Sequence, residues 1–327
     1  MALYLVSGGA GFIGSHIVDE LVRRGEIVRV LDNFSSGNVE NLASIRKKIE
    51  LHKADIRDLD HIRPHFEGVD YVIHLAAIPS VPRSVAEPFA SNAVNIDGTL
   101  NVLLAARDAK ARRVVFAASS AVYGDHPALP RVESQEPRLL SPYALTKLAG
   151  EYYCRIFTRV YGLETVAVRY FNIFGPRQNP NSPYSGVLSL FISAYMLGQI
   201  PTIFGDGEQS RDFTYVDNAV DATLRACKAP NVSGKVINVG TGERQTLNEA
   251  VAMLNDIFGR EIEPHYGPVR AGDVQHSHAD ITLARQFLGY EPKVRFKEGL
   301  QRTVEWFCAG AASKSYAPLK LRPAVKG

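Results

Sequence analysis

The chain has 327 residues, a formal net charge of +3, 46% hydrophobic and 22% charged residues, the proportions of an ordinary globular protein. That length allows two domains, or one nucleotide-binding domain with a smaller region on its edge. The small charge and the lack of a dense Lys/Arg run argue against nucleic acid as a partner, and no stretch is apolar enough to span a membrane. Met1-Ala2-Leu3-Tyr4-Leu5-Val6 lacks the basic region and cleavage site of a signal peptide. Cys154, Cys227 and Cys308 are odd in number and far apart, which excludes a disulfide framework and a close-spaced zinc motif. They read as packed in apolar surroundings, in a reducing cytoplasm.

In chain order, the first half alternates short β-branched runs with helical patterns, the signature of βαβ units and a parallel sheet. The strands expected are Tyr4–Ser7, Ile27–Leu31, Tyr71–Leu75, Arg113–Ala117 and Thr165–Tyr170. Amphipathic helices are expected at Gly14–Arg24 and Gly98–Ala109, and strands this apolar call for helices on both faces. Residues 176–212 are rich in Pro, Gly, Asn and Ser and carry a helix candidate, Gly186–Leu197. Residues 213–240 return to the sheet and end in the strand Lys235–Val239, and a further helix is expected near Thr246–Phe258. The fold class is α/β, a Rossmann-like doubly wound parallel sheet with a smaller C-terminal substrate-binding domain. Residues 1–175 with 213–240 form the first domain, 176–212 with 241–310 the second, and 311–327 a mobile tail.

The first strand leads directly into Ser7-Gly8-Gly9-Ala10-Gly11-Phe12-Ile13-Gly14 and then a helix. Glycines at 8, 11 and 14 let the backbone turn tightly and approach a pyrophosphate set against helix N-terminal amides. The second strand ends near Asp32, whose carboxylate suits the ribose hydroxyls of NAD. Asn33-Phe34-Ser35-Ser36-Gly37 follows, with no arginine for a 2′-phosphate, so NAD is preferred over NADP. Asp55-Ile56 closes a third short strand where an adenine edge is met, although a lone Asp there reads equally as a solvated turn residue.

Tyr143-Ala144-Leu145-Thr146-Lys147 sets a phenol and an ammonium at i and i+4 on one helix face. A free phenol titrates near 10, too high for a base at neutral pH, and a neighbouring cation stabilises the phenolate. The spacing alone is common on helices. Its place after a strand ending in Ala117-Ala118-Ser119-Ser120, downstream of a dinucleotide loop, makes it a catalytic pair, with Ser119 sharing the proton. His276 and His278, two histidines without a third ligand, read as loop polarity, so no metal is expected. His74 reads as a structural histidine.

Ser7-Gly8-x-x-Gly11-x-x-Gly14, His74-Leu75-Ala76-Ala77, Ser119-Ser120-Ala121-Val122-Tyr123-Gly124 and Tyr143-x-x-x-Lys147 together resemble the extended short-chain dehydrogenase/reductase superfamily of nucleotide-sugar enzymes, from Leu3 to about Phe307. The resemblance implies tightly held NAD, with Phe12, Ile13, Asn33, Ser35, Ser36, Gly37, Leu75, Ala76, Ala77, Asn95 and Phe171 joining the cofactor-binding residues. It also implies a homodimer joined through helices near Gly98–Ala109 and Leu145–Tyr161. Dehydratases of this superfamily carry an Asp-Glu pair after the catalytic Ser/Thr, and decarboxylases a Glu in the second place; Ser120 and Ala121 stand here. Proton and hydride transfer at one carbon remain, which suits a 4-epimerase. Ser80-Val81-Pro82-Arg83-Ser84, Ser91-Asn92-Ala93-Val94-Asn95-Ile96-Asp97-Gly98 and Gly124-Asp125-His126-Pro127 resemble bacterial UDP-N-acetylglucosamine 4-epimerases.

The same resemblance puts Asn172, Arg211 and Arg270 at the diphosphate, Asp273 at the ribose, and Val187, Leu188, Ile203 and Phe204 around the uracil, with core packing the other reading of those apolar residues. Ser80, Ser120, Ala121 and Ser277 fall at the sugar. Ser277 is small enough for an acetylated sugar, whereas Ala121 departs from the hydroxyl residue of the acetyl-sugar enzymes. Arg83 reaches a substrate phosphate or carboxylate, or pairs on its loop. The implied activity is C4 inversion of a UDP-hexose. The alternatives are a UDP-glucuronate 4-epimerase, a reductase that releases its nicotinamide, and a silent nucleotide-binding protein, against which the intact Ser119, Tyr143 and Lys147 speak.

Overall fold

The computed structural model describes residues 1–179, 186–269 and 274–312. In chain order its elements are β1 (Leu3–Ser7), α1 (Phe12–Arg23), β2 (Ile27–Asp32), β3 (Glu50–Lys53), α2 (Leu59–Ile62), β4 (Tyr71–His74), α3 (Val81–Ala86), α4 (Pro88–Asn92), α5 (Gly98–Asp108), β5 (Arg113–Ser119), α6 (Pro142–Tyr161), β6 (Glu164–Tyr170), β7 (Ile173–Phe174), α7 (Val187–Met196), β8 (Thr202–Phe204), β9 (Ser210–Arg211), β10 (Thr214–Tyr215), α8 (Val216–Lys228), β11 (Lys235–Val239), β12 (Gln245–Thr246), α9 (Leu247–Phe258), β13 (His265–Gly267), β14 (His276–Ser277) and α10 (Phe296–Ala312).

Seven strands form one parallel sheet in the order β11-β6-β5-β4-β1-β2-β3. Read from the β3 edge, this is the 3-2-1-4-5-6 order of a doubly wound dinucleotide fold with one strand added. Both faces are covered, as strands of this composition require. Ile17, Val18 and Leu21 of α1 pack with Val216 and Ala219 of α8 on one face. Val102 and Leu103 of α5 pack with Cys154 and Phe157 of α6 on the other. The order reverses between β1 and β4, and the crevice above that switch point is where such sheets bind ligands. Short strands make three further sheets, β10-β7, β12-β9-β14 and β13-β8.

Several expected elements shift at their ends. α1 starts at Phe12, not Gly14, and α6 starts at Pro142, because Ser141 caps it through its hydroxyl, which accepts from the Ala144 amide at 3.2 Å, with Pro142 as first residue. β5 runs to Ser119, while β3 stops at Lys53 and leaves Asp55 and Ile56 outside the strand. α5 continues a helical run through a π-turn at Ala93–Asp97. Cys154 and Cys227 are buried as expected, but Cys308 is exposed, because it lies on the outer face of α10. The tail from 313 lies outside the described residues.

His74, the last residue of β4, is a structural histidine. Its Nδ1 is 2.7 Å from Ser7 Oγ and its Nε2 is 2.9 Å from Thr99 Oγ1, which ties β1, β4 and α5 together. Burial, with the Lys147 ammonium as a smaller influence, lowers its pKa to about 3, so the ring is neutral at ordinary pH.

Candidate active site

The glycine loop closes over the C-terminal end of β1. Gly8 has φ +72°, and a Cβ there would come within 2.8 Å of the Ala76 amide nitrogen; a Cβ on Gly14 would lie 2.2 Å from Gly8 O. Only glycine lets these three backbone segments touch, and the loop then presents the N-terminus of α1, with Gly11 as its cap and Phe12 and Ile13 in its first turn. Asp32 stands at the end of β2, its carboxylate accepting from the amides of Ala10 at 2.9 Å and Phe34 at 2.8 Å. Burial raises its pKa, with those amides opposing. Gly37 packs against that carboxylate, and Ser35 and Ser36 are exposed beside it. A dinucleotide fits this cradle: narrow glycine backbone, a helix N-terminus, and a carboxylate at the next strand end.

Asn33 and Asp55 are joined, Asn33 Nδ2 donating to Asp55 at 3.0 Å, and Arg57 also donates to Asp55, whose carboxyl it holds well below the usual range. Ile56 packs on Gly98. Leu75, Ala76 and Ala77 form the exit from β4, the Leu75 amide donating to Ser7 O. Asn95 braces this exit. Its side chain accepts from the Ile78 amide at 2.8 Å and donates to Thr146 Oγ1 at 3.0 Å, and Thr146 in turn donates to Tyr143 O.

Tyr143 lies in the first turn of α6, so its side chain sits at the positive end of a twenty-residue helix. Its amide donates to Ser84 Oγ at 3.0 Å. Burial raises the phenol's pKa and an interaction with the Ser119 side chain draws it back. Lys147, one turn on, is 5% exposed. Its Nζ donates to Ala117 O at 2.8 Å and lies 6.0 Å from the Tyr143 ring centre. Burial lowers its pKa to about 8, with Glu151 opposing. Ser119 ends β5, and its Oγ accepts from the Ala121 amide at 3.2 Å. A Cβ on Gly150 would sit 2.3 Å from the Phe116 ring, so α6 rests directly on β5. A phenol, an ammonium and a hydroxyl thus meet at the sheet's C-terminal end, an arrangement able to take and return a proton.

A cavity of about 280 Å³ is lined among others by Asn172, Val187, Leu188, Phe204, Arg211 and Phe213. Asn172 has φ +39°, and its Nδ2 donates to Asp212 O at 3.2 Å and to Ser277 Oγ at 3.5 Å. Arg211 Nη1 donates to the carbonyls of Ser210 and Gln275. Phe171 is fully buried, its amide donating to Val239 O. Ile203 is also fully buried, in the core, with its neighbours Thr202 and Phe204 on the cavity wall; strand alternation turns it away. Ser80 caps α3 through a bond to the Arg83 amide. Arg83 pairs with Glu87 at 3.0 Å on the surface. Ser120 and Ala121 begin the turn after β5. Arg270 and Asp273 lie outside the described residues. His276 bonds Ser210, His278 bonds Gly242 O, and the described residues hold no metal-binding cluster.

Sequence reasoning missed Gln178, Thr202, Gln209, Phe213 and Leu247 on the cavity wall, Ser84 under Tyr143, and Asp212. The buried Asp212 carboxylate accepts from Thr241, Gly242 and Ala279. Asp212 and Phe213 stand in the run Ser210-Arg211-Asp212-Phe213, which the sequence singled out for Arg211 alone.

Such a sheet with such a triad defines a dinucleotide-dependent enzyme of carbonyl and alcohol chemistry. The chain belongs to the NAD dependent epimerase/dehydratase family, whose model matches residues 4–240. It is 40% identical to a UDP-glucose 4-epimerase from Thermotoga maritima solved with UDP-glucose, at a TM-score of 0.90 covering 94% of this chain and 99% of that one. It is 42% identical to a UDP-N-acetylglucosamine 4-epimerase from Methanobrevibacter ruminantium solved with UDP-N-acetylmuramic acid, at a TM-score of 0.90 covering 94% and 98%. A putative UDP-glucose 4-epimerase of Methanocaldococcus jannaschii is 41% identical over 93% of this chain and 98% of its own length. NAD is the family's cofactor. No helix among the described residues is long and apolar enough to cross a membrane.

Gly14→Ala is expected to keep the fold but lose co-purified NAD, because its Cβ would strike Gly8 O. Wild-type NAD content in the purified variant, read by absorbance after acid release, would remove the loop from the cofactor site.

Proposed function

We propose that the chain inverts C4 of a UDP-hexose, interconverting UDP-N-acetylglucosamine with UDP-N-acetylgalactosamine, UDP-glucose with UDP-galactose, or both pairs. The observation that carries the reading is Tyr143, Lys147 and Ser119 gathered at the C-terminal end of the parallel sheet, with Ser120 and Ala121 where an acid pair would be needed for elimination. Ser277, hydrogen-bonded to Asn172, is small enough to leave room for an N-acetyl group. Arg83, the one obvious cation for a uronate carboxylate, pairs with Glu87 on the surface, which supports a neutral hexose over a uronate. The reading assigns NAD to residues 1–175 and 213–240, and the UDP-sugar to 176–212 and 241–310.

NAD, when bound, supplies the hydride acceptor and donor; Gly8, Gly11, Gly14 and Asp32 hold it. Tyr143 as phenolate takes the proton from the sugar O4 and Ser119 shares it. Lys147 keeps the phenolate favoured, and the α6 N-terminus adds to that. Asn172 and Arg211, with Arg270, grip the diphosphate while the sugar turns its other face, and Tyr143 then returns the proton to the inverted alcohol. Guanidinium forks suit a diphosphate dianion.

The reading includes a homodimer. Leu145, Tyr152, Ile156 and Val160 expose one apolar stripe along α6 at helical spacing, a face that a second copy covers. Ile156→Glu is expected to give monomers by light scattering where the wild type is dimeric; a monomeric wild type contradicts the dimer.

Purified protein without added cofactor is expected to invert C4 of UDP-N-acetylglucosamine or UDP-glucose, followed by proton NMR, and to leave UDP-glucuronate unchanged. Tyr143→Phe is expected to retain NAD and lose turnover by a factor on the order of a thousand. Inversion of none of the three sugars sinks the reading in favour of a reductase.

A further inference from the structure

The mechanism leaves unused the most deeply buried ion pair among the described residues. Glu151 and Arg169 are each 2% exposed, and the guanidinium grips the carboxylate through two bonds, Nε to Oε1 at 2.8 Å and Nη2 to Oε2 at 2.7 Å. Glu151 stands on α6 at i+8 from Tyr143 and i+4 from Lys147, on the same face. Arg169 stands on β6 in register with Ala118, and its neighbour Tyr170 with Ser119. The guanidinium also lies 4.7 Å from the centre of the Tyr123 ring. Tyr123 belongs to the turn that leaves Ser119, and its hydroxyl is fixed on Asn238 Oδ1 at 2.7 Å.

One arginine therefore touches the helix that carries Tyr143 and Lys147 and the turn that leads from Ser119. A buried pair of this kind contributes little net stability, because desolvation offsets the attraction, and apolar replacement of both partners is often neutral. Its firmest use is to fix register. We propose that Glu151 and Arg169 are positioning residues that set the axial register of Tyr143 and Lys147 against Ser119. The proposal rests on the reading of those three as the catalytic set.

Charge works in the same direction. The groups facing Lys147 are Tyr143 and Glu151 on its own helix, His74 on β4, and the Ala117 carbonyl and Phe116 ring on β5. His74 is neutral and Cys154, beside Glu151, has its thiol pushed up to about 12. Arg169 is faced by Glu151, Tyr123 and Glu133. Glu151 is then the anion that favours the Lys147 ammonium against burial.

The test compares wild type, Glu151→Gln and the double variant Glu151→Met with Arg169→Met. The readouts are the melting temperature, kcat and KM separately, the kcat pH profile, and an ultraviolet difference titration of the phenolate against Tyr143→Phe. The double variant is expected to melt near the wild type yet lose kcat by roughly tenfold or more at unchanged KM, with the phenolate appearing at higher pH. Glu151→Gln is expected to bring the alkaline fall of kcat to lower pH, since Lys147 loses its proton more readily without the carboxylate. A double variant with wild-type kcat and titration overturns the proposal. Should both variants fail to fold, Arg169→Lys decides: wild-type kcat in that folded variant overturns the proposal, and a fall at unchanged KM supports it. A wild type that inverts no sugar defeats the functional reading instead, and the phenolate titration still judges the pair.

Discussion

A tyrosine shielded from water holds its proton more tightly, and a lysine shielded from water gives its proton up more readily. Burial imposes both shifts on Tyr143 and Lys147, and a base–cation pair works only if the site opposes them. Four features of the site do so. The start of α6 lends positive potential to the phenol, Ser119 offers it a hydrogen bond, Ala117 O anchors the ammonium, and Glu151 favours its charge. The cost of burying these polar groups is offset by hydrogen bonds rather than avoided.

The sheet supplies the positions. Parallel strands end together, so β1, β2, β4 and β5 deliver Gly8, Asp32, Leu75 and Ser119 to one edge of the molecule. The reversal of strand order between β1 and β4 opens a crevice there. Helix α6 crosses the same edge because Gly150 lets it rest on Phe116. Asn172, between β6 and β7, lines the cavity built by the smaller sheets.

What was legible in the sequence was local. The glycine loop, the Tyr-x-x-x-Lys spacing and the apolar strands each encode their conformation in neighbouring residues, and the elements stand where expected within a few residues. Ends moved where a cap decided them, as Ser141-Pro142 did for α6. Contacts between distant segments were not legible. The cavity wall draws on segments from Asn172 to Leu247, Ser84 reaches Tyr143 across 59 positions, and Ile203 required the register of a three-residue strand. For Arg83 the sequence shows a charge but not its partner, which is Glu87 one turn away.

The central claim is that C4 is oxidised and reduced again without the hydrogen leaving the active site. It is tested most directly with a UDP-hexose carrying deuterium at C4, incubated in ordinary water with no added cofactor. The account predicts inverted product that keeps its deuterium at C4. Loss of the label to water, or inversion only when nicotinamide is supplied from outside, would contradict it.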